Sequence, residues 1–232
     1  MMFRISRMIA LALVVVSCSS NDPVSPQPTG DQPKTGSTFS FERFSTDPTT
    51  GEPISSTKLR YTATITQTGL TFLGKTNVSK MRTEGIGEVT DAYIYYDPNG
   101  DFSVAALYNN VPSGWVTWPV ASHTKTENVI ADTTYSVGGI SISNKATATT
   151  IYVGTETMVI GGKDVTVVKM VQTLESVVTS SGVSQTISLS QDGYFAPTIG
   201  FFAKTFNDGQ LNPVSGEKME GVLSVLVAYD LK

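Results

Sequence analysis

The stretch that decides the fold is Leu59-Arg60-Tyr61-Thr62-Ala63-Thr64-Ile65-Thr66, in which apolar and polar residues alternate. Successive side chains of a β-strand point to opposite faces, so the four apolar residues share one face and the polar residues share the other. The polar face is rich in threonine, a β-branched residue that suits a pleated surface. The pattern predicts a strand with one face buried and the other in water.

The same alternation recurs along the chain. Phe39 and Phe41 alternate with polar residues, and so do Ile140 with Ile142 and Ile187 with Leu189. Turn-forming residues divide the runs at 98–101 (Pro-Asn-Gly-Asp), 138–139 (Gly-Gly), 161–162 (Gly-Gly), 180–182 (Ser-Ser-Gly) and 192–193 (Asp-Gly). Short strands separated by such turns indicate an antiparallel meander of hairpins.

The number of strands limits the architecture. A sheet of about a dozen strands has to curl or split into layers. The sequence therefore predicts an all-β fold: a curved antiparallel sheet that forms a half-barrel, a barrel or a two-layer sandwich. The first half of residues 164–178 is apolar in both phases, and residues 222–231 are apolar almost throughout, which predicts strands covered on both faces. One or two short helices are compatible with this fold, and Thr124 with Glu127 fits a capping box before residues 129–131.

The N-terminal segment predicts export. Arg4 and Arg7 precede nine apolar residues, 8–16, and small Ser17 follows them. Nine helical residues rise about 14 Å, whereas the hydrocarbon core of a bilayer is about 30 Å thick. We therefore expect residues 1–17 to be a cleaved signal peptide and not a membrane span.

Val15-Val16-Ser17-Cys18 resembles the lipobox of bacterial lipoproteins, and Cys18 is the single cysteine of the chain. The resemblance implies a diacylglycerol on the Cys18 thiol, cleavage before Cys18, and a further acyl chain such as palmitate on the new amino group. Two or three acyl chains give a stable membrane anchor. The alternative is an ordinary signal peptide cleaved nearby, with Cys18 removed or left as an incidental thiol.

Residues 18–37 predict a disordered tether, because they contain four prolines and few apolar residues. Ser19 resembles the residue that permits sorting of proteobacterial lipoproteins to the outer membrane. This resemblance does not distinguish the periplasmic face of that membrane from its outer surface. Residues 38–232 then form a single antiparallel β domain. The formal charge is −4, and it becomes −6 when Arg4 and Arg7 leave with the signal peptide. An acidic protein of this kind is not expected to bind nucleic acid.

Residues 191–204 resemble an element of uncharacterised bacterial lipoproteins whose curved sheets are similar to the Lol-type lipoprotein carriers. The residues that carry the resemblance are Tyr194, Phe195, 196–197 (Ala-Pro), Gly200 and 201–202 (Phe-Phe). The resemblance implies that the concave face of the sheet binds a lipid or another apolar molecule. A strand that turns sharply at residues 197–200 and resumes at Phe201 explains the same residues physically, with the aromatic rings in an ordinary core.

The candidate ligand-binding residues are aromatic. They are Tyr95, Trp115, Tyr194, Phe195 and Phe201. Trp115 and Trp118 are three residues apart on a predicted strand, so they point to opposite faces and at most one of them lines a given surface.

No catalytic constellation, metal site or cofactor is predicted. His123 is the sole histidine and lies in a polar stretch, which indicates a surface residue. Residues 97–101 (Asp-Pro-Asn-Gly-Asp) are similar to the start of a calcium loop, but a tight hairpin turn explains them more simply. Three hypotheses follow: a non-enzymatic envelope lipoprotein that binds a hydrophobic ligand, a structural or assembly lipoprotein that docks an envelope protein, and a β-fold hydrolase of envelope polymers.

Overall fold

The computed structural model describes residues 32–85, 87, 89–108, 111–210 and 216–232. Within these ranges the chain forms thirteen strands and one short 3-10 turn, Ser55–Thr57. The strands are β1 (Thr38–Thr46), β2 (Leu59–Phe72), β3 (Lys75–Glu84), β4 (Thr90–Tyr96), β5 (Phe102–Tyr108), β6 (Val111–Pro112), β7 (Val116–Trp118), β8 (Thr126–Val137), β9 (Ile140–Ile160), β10 (Lys163–Ser180), β11 (Val183–Ala196), β12 (Phe201–Asn207) and β13 (Gly221–Asp230). None of the described residues belongs to a helix that is long and apolar enough to span a bilayer.

The strands form one antiparallel sheet that curls into a nearly closed barrel. Their order is β6-β5-β4-β3-β2-β1-β13-β12-β11-β10-β9-β8, and β7 pairs with β5 beside β6. The two ends of this series meet where β7 approaches β8. There the Gly114 N–H donates to the Ile130 carbonyl at 2.8 Å, and the Thr117 N–H donates to Asn128 Oδ1 at 2.9 Å. The predicted all-β, curved antiparallel fold is confirmed.

The alternating stretch that predicted the fold forms β2. Ala63 and Ile65 are buried, and Ile65 is 0% exposed. Leu59, on the same face, is exposed because it begins the strand at the rim of the sheet, paired with Arg43 of β1. The alternation therefore predicts the buried face correctly for the interior of the strand and fails at its first residue.

Tight turns connect the longest strands. Gly138 and Gly139, Gly161 and Gly162, and Ser181 with Gly182 all have positive φ and close two-residue hairpins. Positive φ at both central positions matches the right-handed twist of the flanking strands. The turn predicted at residues 192–193 is wrong, because both residues lie inside β11.

Two further predictions are corrected by the sheet. The short helix predicted after Thr124 is absent, because β8 begins at Thr126 and pairs with β9 along its length. A ladder of backbone hydrogen bonds outweighs one local capping signal. The prediction that both faces of β13 are buried is also wrong, since Val227 is 38% exposed. On β10 the prediction holds locally, because the consecutive residues Val167 and Val168 are both fully buried.

One end of the barrel is filled by phenylalanine rings. We call this group the aromatic core: Phe39, Phe41, Phe102, Phe195, Phe201 and Phe202, all buried. The ring centroids of Phe39 and Phe201 are 4.7 Å apart, and those of Phe102 and Phe195 are 4.9 Å apart. Aromatic pairs at such distances add about 0.5–1.5 kcal/mol to the gain from burial. This end is therefore a packed core.

The turn between β11 and β12 closes the same end. Gly200 has φ +74°, and a Cβ there would lie 2.7 Å from Cδ of Pro33. The Tyr96 hydroxyl donates to the Gly200 carbonyl at 2.7 Å, and burial raises the pKa of Tyr96. The predicted sharp turn at 197–200 is confirmed. Pro33, which precedes β1, lies beside this turn.

Candidate functional site

A hollow of about 340 Å³ lies inside the barrel, directly beyond the aromatic core. Its lining residues are Val104, Ala106, Ser113, Val116, Trp118, Ile130, Gln172, Leu174, Gln191, Phe202 and Thr205. On β5 these residues follow Phe102 by two and four positions, and on β11 Gln191 precedes Phe195 by four. The hollow therefore occupies the next layers of the same inward-facing side chains. Its volume is at the lower end of the range of ligand pockets, about 300–1,000 Å³.

The hollow has a buried floor and an open rim. Trp118 is 4% exposed, and its ring packs edge-on against Phe202 with centroids 4.8 Å apart. Ala106 is exposed, and Leu174 and Thr205 are half-buried. The hollow thus has an aromatic floor at the packed end and opens toward the opposite end of the barrel.

Gly193 makes room for the floor. It lies in the interior of β11, and a Cβ at this position would be 2.5 Å from Cζ3 of Trp118. Real Cβ atoms do not approach so closely, so the tryptophan ring depends on glycine here. A glycine inside a strand often marks such a close approach.

A second glycine closes the wall of the hollow at the β7–β8 seam. A Cβ on Gly114 would lie 2.6 Å from the Val129 carbonyl oxygen and 3.0 Å from Cα of Ile130. The Thr126 hydroxyl, at the start of β8, donates to the Thr117 carbonyl at 2.6 Å. Side-chain hydrogen bonds therefore complement the backbone hydrogen bond that joins the two ends of the sheet.

Two glutamines supply the main polar groups of the wall. Gln172 of β10 is 5% exposed, and its Nε2 donates to Oγ1 of buried Thr150 at 3.3 Å. Gln191 of β11 is the register partner of Gln172, so the two side chains stand next to each other on the inner face. None of the described lining residues is charged. The hollow is apolar with a neutral hydrogen-bonding wall.

Strands β8 to β11 continue past the hollow as a four-stranded extension, residues 131–146 and 175–190. In this extension β11 pairs with β10 alone among the described strands, since its pairing with β12 begins at Gln191. Ile187 is 47% exposed, and Tyr135, Ile140 and Val183 are exposed as well. The inner face of the extension therefore continues the lining of the hollow with side chains that reach solvent.

Two of the predicted ligand-binding residues lie together away from the hollow. Trp115 packs near Phe72 and Tyr95, with centroid distances of 6.0 and 6.3 Å. Lys75 Nζ lies 4.2 Å from the Tyr95 ring centroid and 5.3 Å from that of Trp115. The Trp115 Nε1–H donates to the Leu73 carbonyl at 3.2 Å. Trp115 and Trp118 lie on opposite faces, as their spacing predicts, and Trp118 is the one that lines the hollow.

The other predicted residues lie in or beside the packed end. Phe195 and Phe201 belong to the aromatic core, next to the hollow and outside its lining. Tyr194 is buried between two lysines, with Lys204 Nζ 4.7 Å and Lys169 Nζ 5.3 Å from its ring centroid. A hydrogen bond to Tyr194 raises the pKa of Lys169. Cys18 and most of the predicted tether lie outside the described residues, and their roles stay predictions. The last residues of that segment, predicted to be disordered, pack on the barrel: Pro33 and Ser37 are buried, and the Gly36 N–H donates to the Ile65 carbonyl at 2.8 Å.

The residue types that serve in catalysis or metal binding make packing contacts or hydrogen bonds within the fold here. The ring of His123 stacks on Tyr152 with centroids 3.7 Å apart, and its Nε2 is buried without a hydrogen-bond partner among the described residues. The Asp101 carboxylate accepts the backbone N–H groups of Ala121 and Ser122 at 3.0 and 2.9 Å. Residues 97–101 form the predicted turn between β4 and β5. No group of three metal-ligating side chains occurs in the described ranges.

Few features of the sequence indicated which residues line the hollow. The alternation around Gln172 and Gln191 predicts which side chains share a face, but the face that closes around a space depends on how the sheet curls. The glycine at position 193 was a signal of close approach, and its partner Trp118 is 75 residues away along the chain. Only the closed sheet brings these residues together.

No protein-family model matches the sequence, and no curated protein matches it. Some solved structures are loosely similar to this chain. A proposed lipoprotein from Parabacteroides distasonis is 10% identical, with 86% of this chain and 97% of that chain covered and a TM-score of 0.39. A proposed exported protein with a YmcC-like fold from Bacteroides fragilis is 12% identical, with 86% and 97% covered and a TM-score of 0.35.

The hypothetical lipoprotein YmcC from Escherichia coli is 11% identical, with 83% of this chain and 84% of that chain covered and a TM-score of 0.34. By name, these neighbours are lipoproteins or exported proteins. The likeness extends over most of each chain but is loose. The functional argument below therefore rests on the residues of this chain.

Proposed function

We propose that this chain is a non-enzymatic lipoprotein of the bacterial cell envelope that binds a hydrophobic ligand in the hollow of its barrel. The observation that carries the proposal is the apolar hollow of about 340 Å³ with Trp118 and Phe202 at its floor. Aromatic and aliphatic walls with a few polar groups are typical of ligand pockets. Burial of apolar surface contributes about 25 cal/mol per Å² and drives the binding of such ligands.

The anchor in this proposal is Cys18. Acyl chains on its thiol and amino group would hold the mature protein in the membrane, and Ser19 favours the outer membrane. Pro33 packs at the closed end of the barrel, beside Gly200. The fifteen-residue step from Cys18 to Pro33 spans about 20 Å as a flexible coil and about 45 Å as polyproline II. The tether therefore joins the closed end, and the mouth of the hollow is free to face away from the membrane.

The anchor is tested by Cys18→Ala. Without the acyl chains the mature protein should move from the membrane fraction to the soluble envelope fraction, because a net charge of −6 does not favour binding to anionic lipids. Fractionation followed by immunoblotting measures the shift. Retention of Cys18→Ala in the membrane fraction would show that another surface holds the protein there.

The hollow is tested with a soluble form that begins at Ser19, which keeps every residue that the structure describes. Titration with N-phenylnaphthylamine, a neutral hydrophobic dye, should give a saturable rise in fluorescence. Ala106→Phe places a ring at the exposed rim and should weaken binding by about tenfold, or 1.4 kcal/mol. Val153→Phe is the matched control, because Val153 is exposed and lies outside the lining. Dye binding that fails to saturate, or that Ala106→Phe leaves unchanged, contradicts the proposal.

One observation favours a second function, the docking of an envelope protein. Residues 183–190 of β11 pair only with β10 among the described strands, and this edge has the sequence Val-Ser-Gln-Thr-Ile-Ser-Leu-Ser without a charge or a proline. Natural proteins usually protect a free edge with charged residues or proline. An edge without this protection can accept another strand. This function predicts that crosslinking in the native envelope captures one dominant partner and that Thr186→Pro abolishes the capture.

The hydrolase hypothesis finds no support at the hollow, whose described lining contains no carboxylate.

A further inference from the structure

The chemistry of the hollow narrows the class of its ligand. The inference rests on the proposed function, because it concerns what the same hollow selects. Its polar lining consists of hydroxyl and carboxamide side chains, Ser113, Thr205, Gln172 and Gln191. These groups form hydrogen bonds with neutral partners and carry no charge that would balance an ion.

The pair Gln172 and Gln191 offers unused hydrogen-bonding capacity. A carboxamide has two N–H donors and an oxygen with two lone pairs. Gln172 uses one donor on Thr150, and its oxygen accepts no hydrogen bond from a described residue. Because Gln172 is nearly buried, a group that bonds this amide has to enter the hollow. A hydroxyl, ester or amide group on a ligand would satisfy it.

An anionic head group is disfavoured at this wall. A carboxylate that leaves water needs a cation or several strong donors, and without them its desolvation opposes binding. The lysines nearest to β11, Lys169 and Lys204, contact Tyr194 and do not line the hollow. The net charge of −6 also repels anions.

The shape of the site indicates a single apolar chain. The floor of Trp118 and Phe202 and the walls of Val104 and Val116 bury an apolar group, but a hollow of 340 Å³ holds only part of a long lipid. Leu174 lines the hollow, and its register partner Leu189 continues the apolar face onto the extension. The rest of a chain can lie along this face.

We propose that the hollow binds a neutral single-chain amphiphile, with its hydroxyl, ester or amide group hydrogen-bonded to the pair Gln172 and Gln191, and that it selects against the corresponding fatty-acid anion. The juxtaposition of two uncharged amides with an apolar, aromatic floor carries this assignment.

The test compares two ligands with the same chain in the soluble form that begins at Ser19. Dodecanoylglycerol and the dodecanoate anion compete for the N-phenylnaphthylamine site below their micellar concentrations, at a pH well above the carboxyl pKa. We expect dodecanoylglycerol to bind about tenfold more tightly or better. Gln191→Leu, at a half-buried position, and the double variant Gln172→Leu with Gln191→Leu should reduce this preference to less than about threefold.

Gln67→Leu is the matched control, since Gln67 is an exposed residue of β2 and lies outside both the lining and the extension. It should leave the preference unchanged. Equal or tighter binding of dodecanoate, or a preference that survives Gln191→Leu in a folded protein, overturns this inference and leaves the hydrophobic site standing. If neither ligand displaces the dye because no saturable site exists, the proposed function fails and this inference fails with it.

Discussion

The closed end of the barrel and its four-stranded extension are built from the same alternating sequence pattern, but they bury it to different extents. At the closed end the inward residues of β1, β5, β11 and β12 meet as the aromatic core, because strands from all sides of the barrel converge there. In the extension the inward residues of β8 to β11 face open space, and Ile187 and Ile140 are exposed. Alternation thus fixes which residues share a face, whereas closure of the sheet decides whether that face becomes a core.

This difference has an energetic consequence. The extension depends on backbone hydrogen bonds and tight glycine turns with little apolar burial, so it should open locally at a lower free energy than the closed end. The hollow lies between the two regions, with a rigid aromatic floor and a rim that continues into exposed strands. Such a position suits a site that has to admit a ligand.

The largest expected effect compares two isoleucines. Ile65→Ala removes a fully buried side chain next to the packed end and should lower the free energy of unfolding by about 2–5 kcal/mol. Ile187→Ala changes a side chain that is 47% exposed and should cost less than about 1 kcal/mol. Urea unfolding followed by circular dichroism measures both values. Similar costs for the two variants would mean that the extension is buried in solution.

The floor of the hollow gives the second comparison. Gly193→Ala forces a Cβ against the Trp118 ring and should destabilise the fold by about 1–3 kcal/mol while weakening ligand binding. Gly154→Ala, on β9 with no heavy atom within 4 Å of the added Cβ, should be neutral or slightly stabilising. Thermal unfolding and dye titration test the pair. A tolerated Gly193→Ala would contradict the close contact between β11 and the floor.

The smallest expected effect is the pH dependence of the two ion pairs that Asp91 forms with Lys80 and Arg82. Burial raises the pKa of Asp91, but hydrogen bonds from Lys80 and Arg82 and their charges outweigh it and hold the pKa below its ordinary value. A lowered pKa stabilises the folded state above the unfolded-state value, and this contribution disappears as the pH falls through the folded value. Asp91→Asn should therefore flatten the loss of stability below about pH 4, by less than about 1 kcal/mol.

Asp132→Asn is the control for this effect, since Asp132 is an exposed residue of β8 in the extension. Urea midpoints between neutral and acidic pH should be the same for this variant and the unchanged chain. A steeper acid transition in Asp91→Asn would contradict the sign of the pKa shift.

Much of the fold could be predicted from local sequence patterns, whereas the hollow could not. Phe39, Phe41, Ala63 and Ile65 were predicted as inward residues of strands and are buried. Glycine pairs at 138–139 and 161–162 were predicted as turns and form them. The hollow depends on long-range closure, in which Trp118 of β7, Gln172 of β10 and Thr205 of β12 meet across the barrel. Alternation does not specify such distances.

The aromatic residues chosen from the sequence show the same limit. Phe195 and Phe201 were selected because they lie in a distinctive segment, and they fill the aromatic core beside the hollow. Tyr95 and Trp115 were selected as candidate ligand-binding residues, and they pack with Lys75 away from the hollow. The sequence identified the aromatic residues, but not which of them border an empty space.

The most direct test of the central claim uses the two tryptophans of the chain as separate reporters. In Trp115→Phe the remaining tryptophan, Trp118, lies at the floor of the hollow, and in Trp118→Phe the remaining one, Trp115, lies on the other face. Titration with a monoacylglycerol brominated on its chain should quench the fluorescence of Trp118 saturably and leave that of Trp115 nearly unchanged. Equal quenching of both, or quenching of Trp115 alone, would contradict a ligand site inside the barrel.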